Sequence, residues 1–233
     1  MKFDPPLIKG TLKKRYKRFL ADIELESGEV VTAHCPNSGR MTGCAMPEGT
    51  VYIAPAVDKK RKLKYTWELT FIEPDNWVGV NTMRTNRIVE EALINREIPG
   101  LADYIELQRE KKYGGNSRID FLLTMVDGRK HFVEVKNVSL VENGKAKFPD
   151  AVTTRGQKHI LELMNMVELG HRASLFFLVN RQDAKSFEAA GHIDPRYAEL
   201  LKDAKKAGVD VFVYQTVADN LNITLGNSLP FNI

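Results

Sequence analysis

The 233-residue chain reads as two units of different class, a small all-β barrel followed by an α/β domain with a central mixed sheet. Three observations lead there. Over roughly the first 80 residues, short β-prone runs alternate with Gly and Pro turn signals. After Trp77 the pattern changes to strands alternating with amphipathic helices. Residues 173–179 form a continuous apolar run, the signature of a strand covered on both faces.

Candidate barrel strands are residues 7–12, 16–25, 30–34, 50–55 and 65–73, with Ser27-Gly28-Glu29 as the first evident hairpin turn. Five short strands fit a closed barrel, and a sandwich of that size would give the same pattern. Residues 36–40 are an irregular loop by composition. The boundary falls near Asn81, giving units 1–81 and 82–233 with no flexible linker, so firm packing between them is expected. In the second unit, residues 85–96 carry helical spacing in Ile88, Val89, Ala92 and Leu93, ended by Pro99-Gly100. Residues 104–110, 119–126 and 131–138 follow as strands. Residues 155–168 form a helix with Ile160, Leu161, Leu163, Met164 and Val167 inward, closed by Gly170. Residues 195–207 are a further helix between Pro195 and Gly208, followed by a core strand at 209–214 and an edge strand at 221–225.

Composition excludes several classes. A content of 43% hydrophobic and 27% charged residues is ordinary for a globular protein. The 173–179 run is far short of the ~20 apolar residues of a membrane span. Met1-Lys2-Phe3-Asp4-Pro5-Pro6 lacks the apolar core of a signal peptide, so a cytoplasmic protein without a membrane partner is expected. Two cysteines, Cys35 and Cys44, are too few for a disulfide scaffold. His34 precedes Cys35, but without a C-x-x-C spacing or a visible fourth ligand these are expected to be ordinary thiols.

The net charge of +4 is too small to name a polyanionic partner, and its distribution says more. Residues 9–18 contain Lys9, Lys13, Lys14, Arg15, Lys17 and Arg18 with no acid among them. Lys59-Lys60-Arg61-Lys62 is a second cluster. The first surrounds Tyr16 and Phe19, and positive charge beside an aromatic platform suits a single-stranded nucleic acid. The plainer alternative is a solvated charge run with Phe19 in the core. Arg40, in the 36–40 loop, and Arg118 are further candidates for phosphate contact.

The chemistry concentrates in Ser117-Arg118-Ile119-Asp120-Phe121-Leu122-Leu123 and Phe132-Val133-Glu134-Val135-Lys136-Asn137-Val138, two strands joined by a hairpin at Asp127-Gly128. Glu134 and Lys136 share one face, because side chains alternate along a strand. A two-residue turn would pair Asp120 with Val135; a three-residue loop with Gly128 in the left-handed region pairs Asp120 with Glu134. The second register, or an equivalent bulge that restores the shared face, is expected. Two opposed carboxylates repel unless a cation lies between them, and hard oxygen ligands suit Mg2+ or Mn2+. Lys136 then orients the attacking water and stabilises charge in the pentavalent transition state. The bland reading is a sheet face where Lys136 only neutralises Glu134, although Phe132 and Val138 make that face apolar as well.

An acid on one strand followed by Glu-x-Lys on the next resembles the PD-(D/E)XK nuclease superfamily, with Ile119 where that signature carries Pro. Several motifs together resemble the sugar fermentation stimulation protein A (SfsA) family of bacteria. They are Tyr113-Gly114, Ser117-Arg118-Ile119-Asp120-Phe121, Glu134-Val135-Lys136, and the run from Phe148-Pro149-Asp150-Ala151-Val152 through Thr153-Thr154-Arg155-Gly156-Gln157-Lys158-His159. Asn37-Ser38-Gly39-Arg40-Met41 and His192-Ile193-Asp194 belong to the same likeness, which spans nearly the whole chain. It implies an OB-fold-like barrel, a PD-(D/E)XK nuclease-like second domain and non-specific DNA binding. It also implies supporting residues: a metal-associated acid at Glu91, with Glu90 equally available, and Gln157 near the metal without its usual Tyr companion. The carbonyl of Val135 is a further metal-ligand candidate. Arg155 and Lys158 are candidates for phosphate contact beside the helix start, where backbone N–H groups favour anions. The expected function is DNA binding, with RNA open, and Mg2+- or Mn2+-dependent phosphodiester hydrolysis. The alternative is a non-enzymatic DNA-binding regulator of sugar metabolism on a nuclease-like scaffold. The sequence leaves the oligomeric state open.

Overall fold

A computed structural model describes residues 1–58, 60–115 and 117–233, so Lys59 of the second basic cluster lies outside the described residues. Strands β1 (Ile8–Tyr16), β2 (Leu20–Leu25), β3 (Val30–His34), β4 (Thr50–Pro55) and β5 (Tyr65–Ile72) pair in the order β3-β2-β1-β4-β5. A parallel β3–β5 pairing through Ala33↔Tyr65 and His34↔Thr66 closes the barrel. Strand β6 (Asn76–Gly79) extends it beyond β5. Alternation sends Leu12, Ala21, Ile23, Val31, Ala33, Val51 and Ile53 inward around Trp67. Cys35 and Cys44 are free thiols buried in this core.

The first hairpin departs from the sequence reading. Strand β1 runs through the basic segment to Tyr16, and the turn lies at residues 17–19, where Lys17 and Arg18 take φ of 49° and 62°. No Gly, Asn or Pro marks that turn, and a register shift between Leu12 and Lys14 lets the charged residues alternate outward.

After Gly79 the chain enters α1 (Thr85–Ile94), then β7 (Tyr104–Tyr113), β8 (Ser117–Met125) and β9 (Lys130–Val138). Short β10 (Leu140–Glu142) and β11 (Lys145–Phe148) precede α2 (Thr154–Glu168) and β12 (Arg172–Val179). Then come β13 (Ser186–Ala189), α3 (Pro195–Lys206), β14 (Asp210–Ala218), β15 (Ile223–Ser228) and β16 (Phe231–Asn232). The main sheet has the order β15-β14-β12-β9-β8-β7, with β9, β12 and β14 parallel and the rest antiparallel. The expected mixed sheet is present, with the 173–179 run near its centre. Val133, Val135, Phe176 and Leu178 face the α1 layer, while Phe132, Val138, Leu175 and Phe177 face α2 and α3.

Helix α2 buries His159, Ile160, Leu163 and Met166, whereas Leu161, expected inward, is 49% exposed. Its stripe is narrower than the count of apolar residues suggested, because His159 occupies a core-facing turn. The small sheet β10-β11-β13-β16 was not anticipated, since its strands are too short to show alternation.

The two units meet without a spacer. Gly79 N–H donates to the Asn180 carbonyl at 2.8 Å, and Val78 bridges Arg181. Residues 1–3, read as part of the barrel unit, pack on the α/β side instead. Phe3 lies in the α1-side core, its N–H donating to Leu221 O at 2.8 Å, and Ile223 N–H donates to Met1 O at 2.9 Å. No helix is long and apolar enough to cross a membrane.

Candidate functional site

The β8–β9 hairpin closes with Met125 N–H donating to Arg129 O at 2.9 Å, and Gly128 takes φ of 83°. Its ladder pairs Thr124 with Lys130 and Phe121 with Val133, the register of the three-residue loop, and it ends one residue short of Asp120 and Glu134. Ile119 and Val135 would form the next hydrogen-bonded pair. Instead, Val135 N–H donates to Asp120 Oδ2 at 2.8 Å, and Asn86 Nδ2 of α1 donates to Asp120 Oδ1 at 2.8 Å. The hairpin therefore opens at Asp120, and the carboxylate fills the gap. Burial raises the Asp120 carboxyl above the usual range and the Glu134 charge raises it further, against the two hydrogen bonds.

Glu134 is almost fully buried. Its Oε1 accepts from Lys136 Nζ at 2.7 Å and from His159 Nδ1 of α2. Arg155 Nε donates to His159 Nε2 at 3.5 Å, a weak contact that leaves Nδ1 as the donor nitrogen. Burial acts to raise the Glu134 carboxyl, but His159 and Lys136 outweigh it and hold the group below its ordinary value. Glu134 Oε2 is buried with no hydrogen-bond partner among the described residues. The phenols of Tyr113 and Tyr197 are likewise unpartnered. Burial pushes the Tyr113 hydroxyl far up, as do the charges of Glu134, Glu162 and Asp120.

These residues fit a hard divalent cation in donor chemistry. Asp120 and Glu134 offer oxygens, the Glu134 charge adds to burial in raising the Asp120 carboxyl, and Oε2 of Glu134 has no partner among the described residues. No group of three or more His, Cys, Asp or Glu side chains is gathered for a metal among the described residues, so waters would complete the shell.

Two expected supports lie elsewhere. Gln157 Nε2 donates to both oxygens of Asp194 at 2.9 and 3.1 Å. Asp194 also caps α3 through Tyr197 N–H and accepts Thr153 N–H, so this buried acid captures Gln157 before it can reach the Glu134 side. Glu91 pairs with the Met1 ammonium at 3.0 Å, and Glu90 pairs with Arg109 at 3.0 Å. The residue that α1 delivers to Asp120 is Asn86, one turn before Glu90. Asn86, His159 and Tyr113 escaped the sequence reading as site residues. Asn86 lies one helical turn before Glu90, but a neutral amide carries no charge pattern to flag it.

The basic segment divides. Lys13 pairs with Glu24 at 2.8 Å and Glu48 at 2.9 Å, while Lys14 lies 3.5 Å from Asp22 and over the Tyr16 ring. Tyr16 Oη donates to Asp22, and Arg15 Nη2 clamps the Asn37 and Gly39 carbonyls at 2.8 and 3.0 Å. These four are committed to the barrel's own structure. Lys17 and Arg18 stand exposed in the turn beside Phe19, which is 46% exposed and outside the core. Arg40 is exposed too, its N–H held by Asp150 at 3.1 Å, and a cavity of about 490 Å³ separates Arg18 and Arg40 from residues 148–153. Arg118, Arg155 and Lys158 are exposed, with Lys158 3.6 Å from Glu162.

Comparison with known proteins agrees with this architecture. Residues 14–80 match the SfsA N-terminal OB domain, and residues 83–222 match the Sugar fermentation stimulation protein RE domain. A sugar fermentation stimulation protein homolog of Pseudoalteromonas atlantica is 49% identical over 231 residues, covering 99% of each chain. One from Psychromonas ingrahamii is 53% identical over 213 residues, covering 89% of this chain and 93% of its own. Among solved structures, Pyrococcus furiosus SfsA in complex with Ca2+ aligns with a TM-score of 0.90 at 26% identity, covering 100% of this chain and 98% of that one. The chain belongs to the sugar fermentation stimulation protein (SfsA) family, with an OB-like barrel joined to an α/β domain.

Proposed function

We propose that this protein binds DNA and hydrolyses its phosphodiester bonds at a Mg2+- or Mn2+-dependent site formed by Asp120, Glu134 and Lys136. The observation that carries the reading is Glu134 Oε2, a buried carboxylate oxygen without a partner among the described residues, next in the chain to the Val135 N–H that holds Asp120. A buried anionic oxygen left unpaired is costly, and a cation is the natural complement. The Ca2+ complex of the Pyrococcus furiosus relative supports a divalent ion in this family.

Asp120 and Glu134 would hold the ion, with the carbonyl of Val135 as a further ligand. When bound, the ion supplies Lewis acidity toward a phosphate oxygen and lowers the pKa of water. The chain's own residues do the rest. Asn86 and Val135 N–H fix the Asp120 carboxylate, and His159 fixes Glu134 Oε1, while Oε2 has no partner among the described residues. Lys136 Nζ, held at 2.7 Å from Glu134, places a positive charge for the attacking water and for the pentavalent phosphorus. Lys17, Arg18, Phe19 and Arg40 supply backbone and base contacts from the barrel, and Arg118, Arg155 and Lys158 supply them from the α/β domain.

The deciding experiment incubates purified protein with single- and double-stranded DNA and RNA in Mn2+, Mg2+ or EDTA. Metal-dependent cleavage lost in Glu134→Ala and Lys136→Ala is expected. No cleavage under any condition, or cleavage that survives both substitutions, overturns the catalytic reading.

A second reading, a DNA-binding regulator that does not cut, is favoured by one observation. Both Asp120 oxygens and Glu134 Oε1 are already engaged by protein donors. It expects salt-sensitive DNA binding that Glu134→Ala leaves unchanged.

A further inference from the structure

A second charged cavity lies apart from the carboxylate pair, in the crevice between the barrel seam and the start of α1. It measures about 490 Å³, a size that holds a nucleoside monophosphate. Arg61, Arg84 and Arg87 converge on it, with His34 at the end of β3. The acid in its wall is Glu68, and that charge is spent. Both of its oxygens accept from Arg84, at 2.9 and 3.1 Å, and Oε2 also accepts from Asn81 Nδ2 at 3.0 Å. Glu68 is 3% exposed, so it offers little to anything in the cavity.

What remains is a surplus of positive charge. Arg61 spends one N–H on Thr66 Oγ1 at 3.1 Å. Arg87 is exposed and has no ion-pair or hydrogen-bond partner among the described residues. Burial and the Arg61 charge hold His34 below its ordinary pKa, so its ring meets the cavity as a neutral donor and acceptor. Two guanidinium groups facing one cavity without a free acid repel each other unless an anion sits between them. Planar guanidinium forks match phosphate oxygens two at a time.

We infer that this crevice is a phosphate-binding site, in which Arg61 and Arg87 grip a phosphate group and Arg84, locked on buried Glu68, is the rigid floor. The phosphate comes either from a nucleic-acid strand or from a free nucleotide. Asn86, whose side chain reaches Asp120, lies between Arg84 and Arg87 in the same short segment. The site stands whether or not Asp120 and Glu134 catalyse hydrolysis.

The test follows backbone amide shifts by NMR while the intact protein is titrated with inorganic phosphate. Adenosine 5′-monophosphate and a single-stranded oligonucleotide with and without a 5′-phosphate follow. Saturable shifts at Arg61, Thr66 and Arg87 are expected. Arg87→Glu, an exposed change that should fold normally, is expected to weaken phosphate binding about tenfold or more. Lys202→Glu, the same charge change on α3 across the sheet, should leave it intact, as should Glu134→Gln. Monophosphate binding without an Arg87 effect on the oligonucleotide identifies a free nucleotide; an Arg87-dependent oligonucleotide affinity identifies a strand. Absence of saturable shifts at the cavity, or equal weakening by Arg87→Glu and Lys202→Glu, overturns the site.

Discussion

Asp120 Oδ2 accepts the backbone N–H of Val135 at 2.8 Å, replacing the sheet bond that Ile119 would have made. The side chain is thus a structural splice as well as a charge. Because its folded pKa is raised, its contribution to stability is full below the unfolded pKa and lost as pH rises through the folded value. Where the acid is ionised, its charge is therefore a liability to the fold. Asp120→Asn, which keeps an acceptor and removes the charge, should raise the thermal midpoint at pH 7. Asp120→Ala, which orphans two donors, should lower stability by about 1–3 kcal/mol. Circular dichroism melts at pH 7 decide it, and an Asn variant less stable than the parent would count against the assignment.

Divalent ions should stabilise the folded chain. Mn2+ or Mg2+ at about a hundred times its dissociation constant adds about 2.7 kcal/mol. Glu134→Gln should abolish that increment and EDTA should reverse it. Gln157→Ala should retain it, because Gln157 faces Asp194. Differential scanning calorimetry with and without the ion separates these outcomes.

Asp194 ties two helix starts together. It accepts Tyr197 N–H, Thr153 N–H and the Gln157 amide. Asp194→Ala should cost about 3 kcal/mol in urea unfolding, from a lost cap and an orphaned second donor. A loss under about 1 kcal/mol would mean water replaces the carboxylate.

His131 predicts an acid slope. It is fully buried, its pKa pushed down to about 3 by burial and then by Arg172. A depressed folded pKa gives stability that is present above the unfolded value of about 6.5 and lost as pH falls toward 3. At pH 5 the loss is about 2 kcal/mol relative to pH 7.5. Equilibrium unfolding of His131→Gln at both pH values should show most of that difference gone.

Within the barrel, reversal of exposed and of engaged cations should differ. Lys17→Glu with Arg18→Glu should weaken single-stranded DNA binding and lower the salt slope by about 0.7 per lost phosphate contact. Lys13→Glu should change affinity less, since Lys13 is already paired with Glu24 and Glu48. Fluorescence anisotropy across a salt series reads both, and equal effects would contradict this division.

The hairpin register was legible because one glycine in a three-residue loop decides it, and Gly128 takes the required left-handed conformation. The parallel core strand was legible from its unbroken apolar run. The 17–19 turn was not, because Lys17 and Arg18 adopt positive φ without any residue that advertises it. Nor was the fate of Gln157 and Glu91. Each is a polar residue on a helix of correct placement, and its partner comes from a distant part of the chain, Asp194 or Met1. Sequence periodicity reports which face a residue occupies. It carries no record of which neighbour claims its hydrogen bonds.

The placement of Phe3 has a mechanical consequence. Residues 1–3 are laid against β15 and the α1-side core, and the chain returns to the same domain after Gly79 through Asn180. The barrel is thus stitched down at both its entrance and its exit, like a loop whose two ends are sewn into one cloth. A module on a single tether can swing; one held at two points has little freedom to do so. Residues 82–233 expressed alone would lack the Phe3 ring that fills the α1-side core.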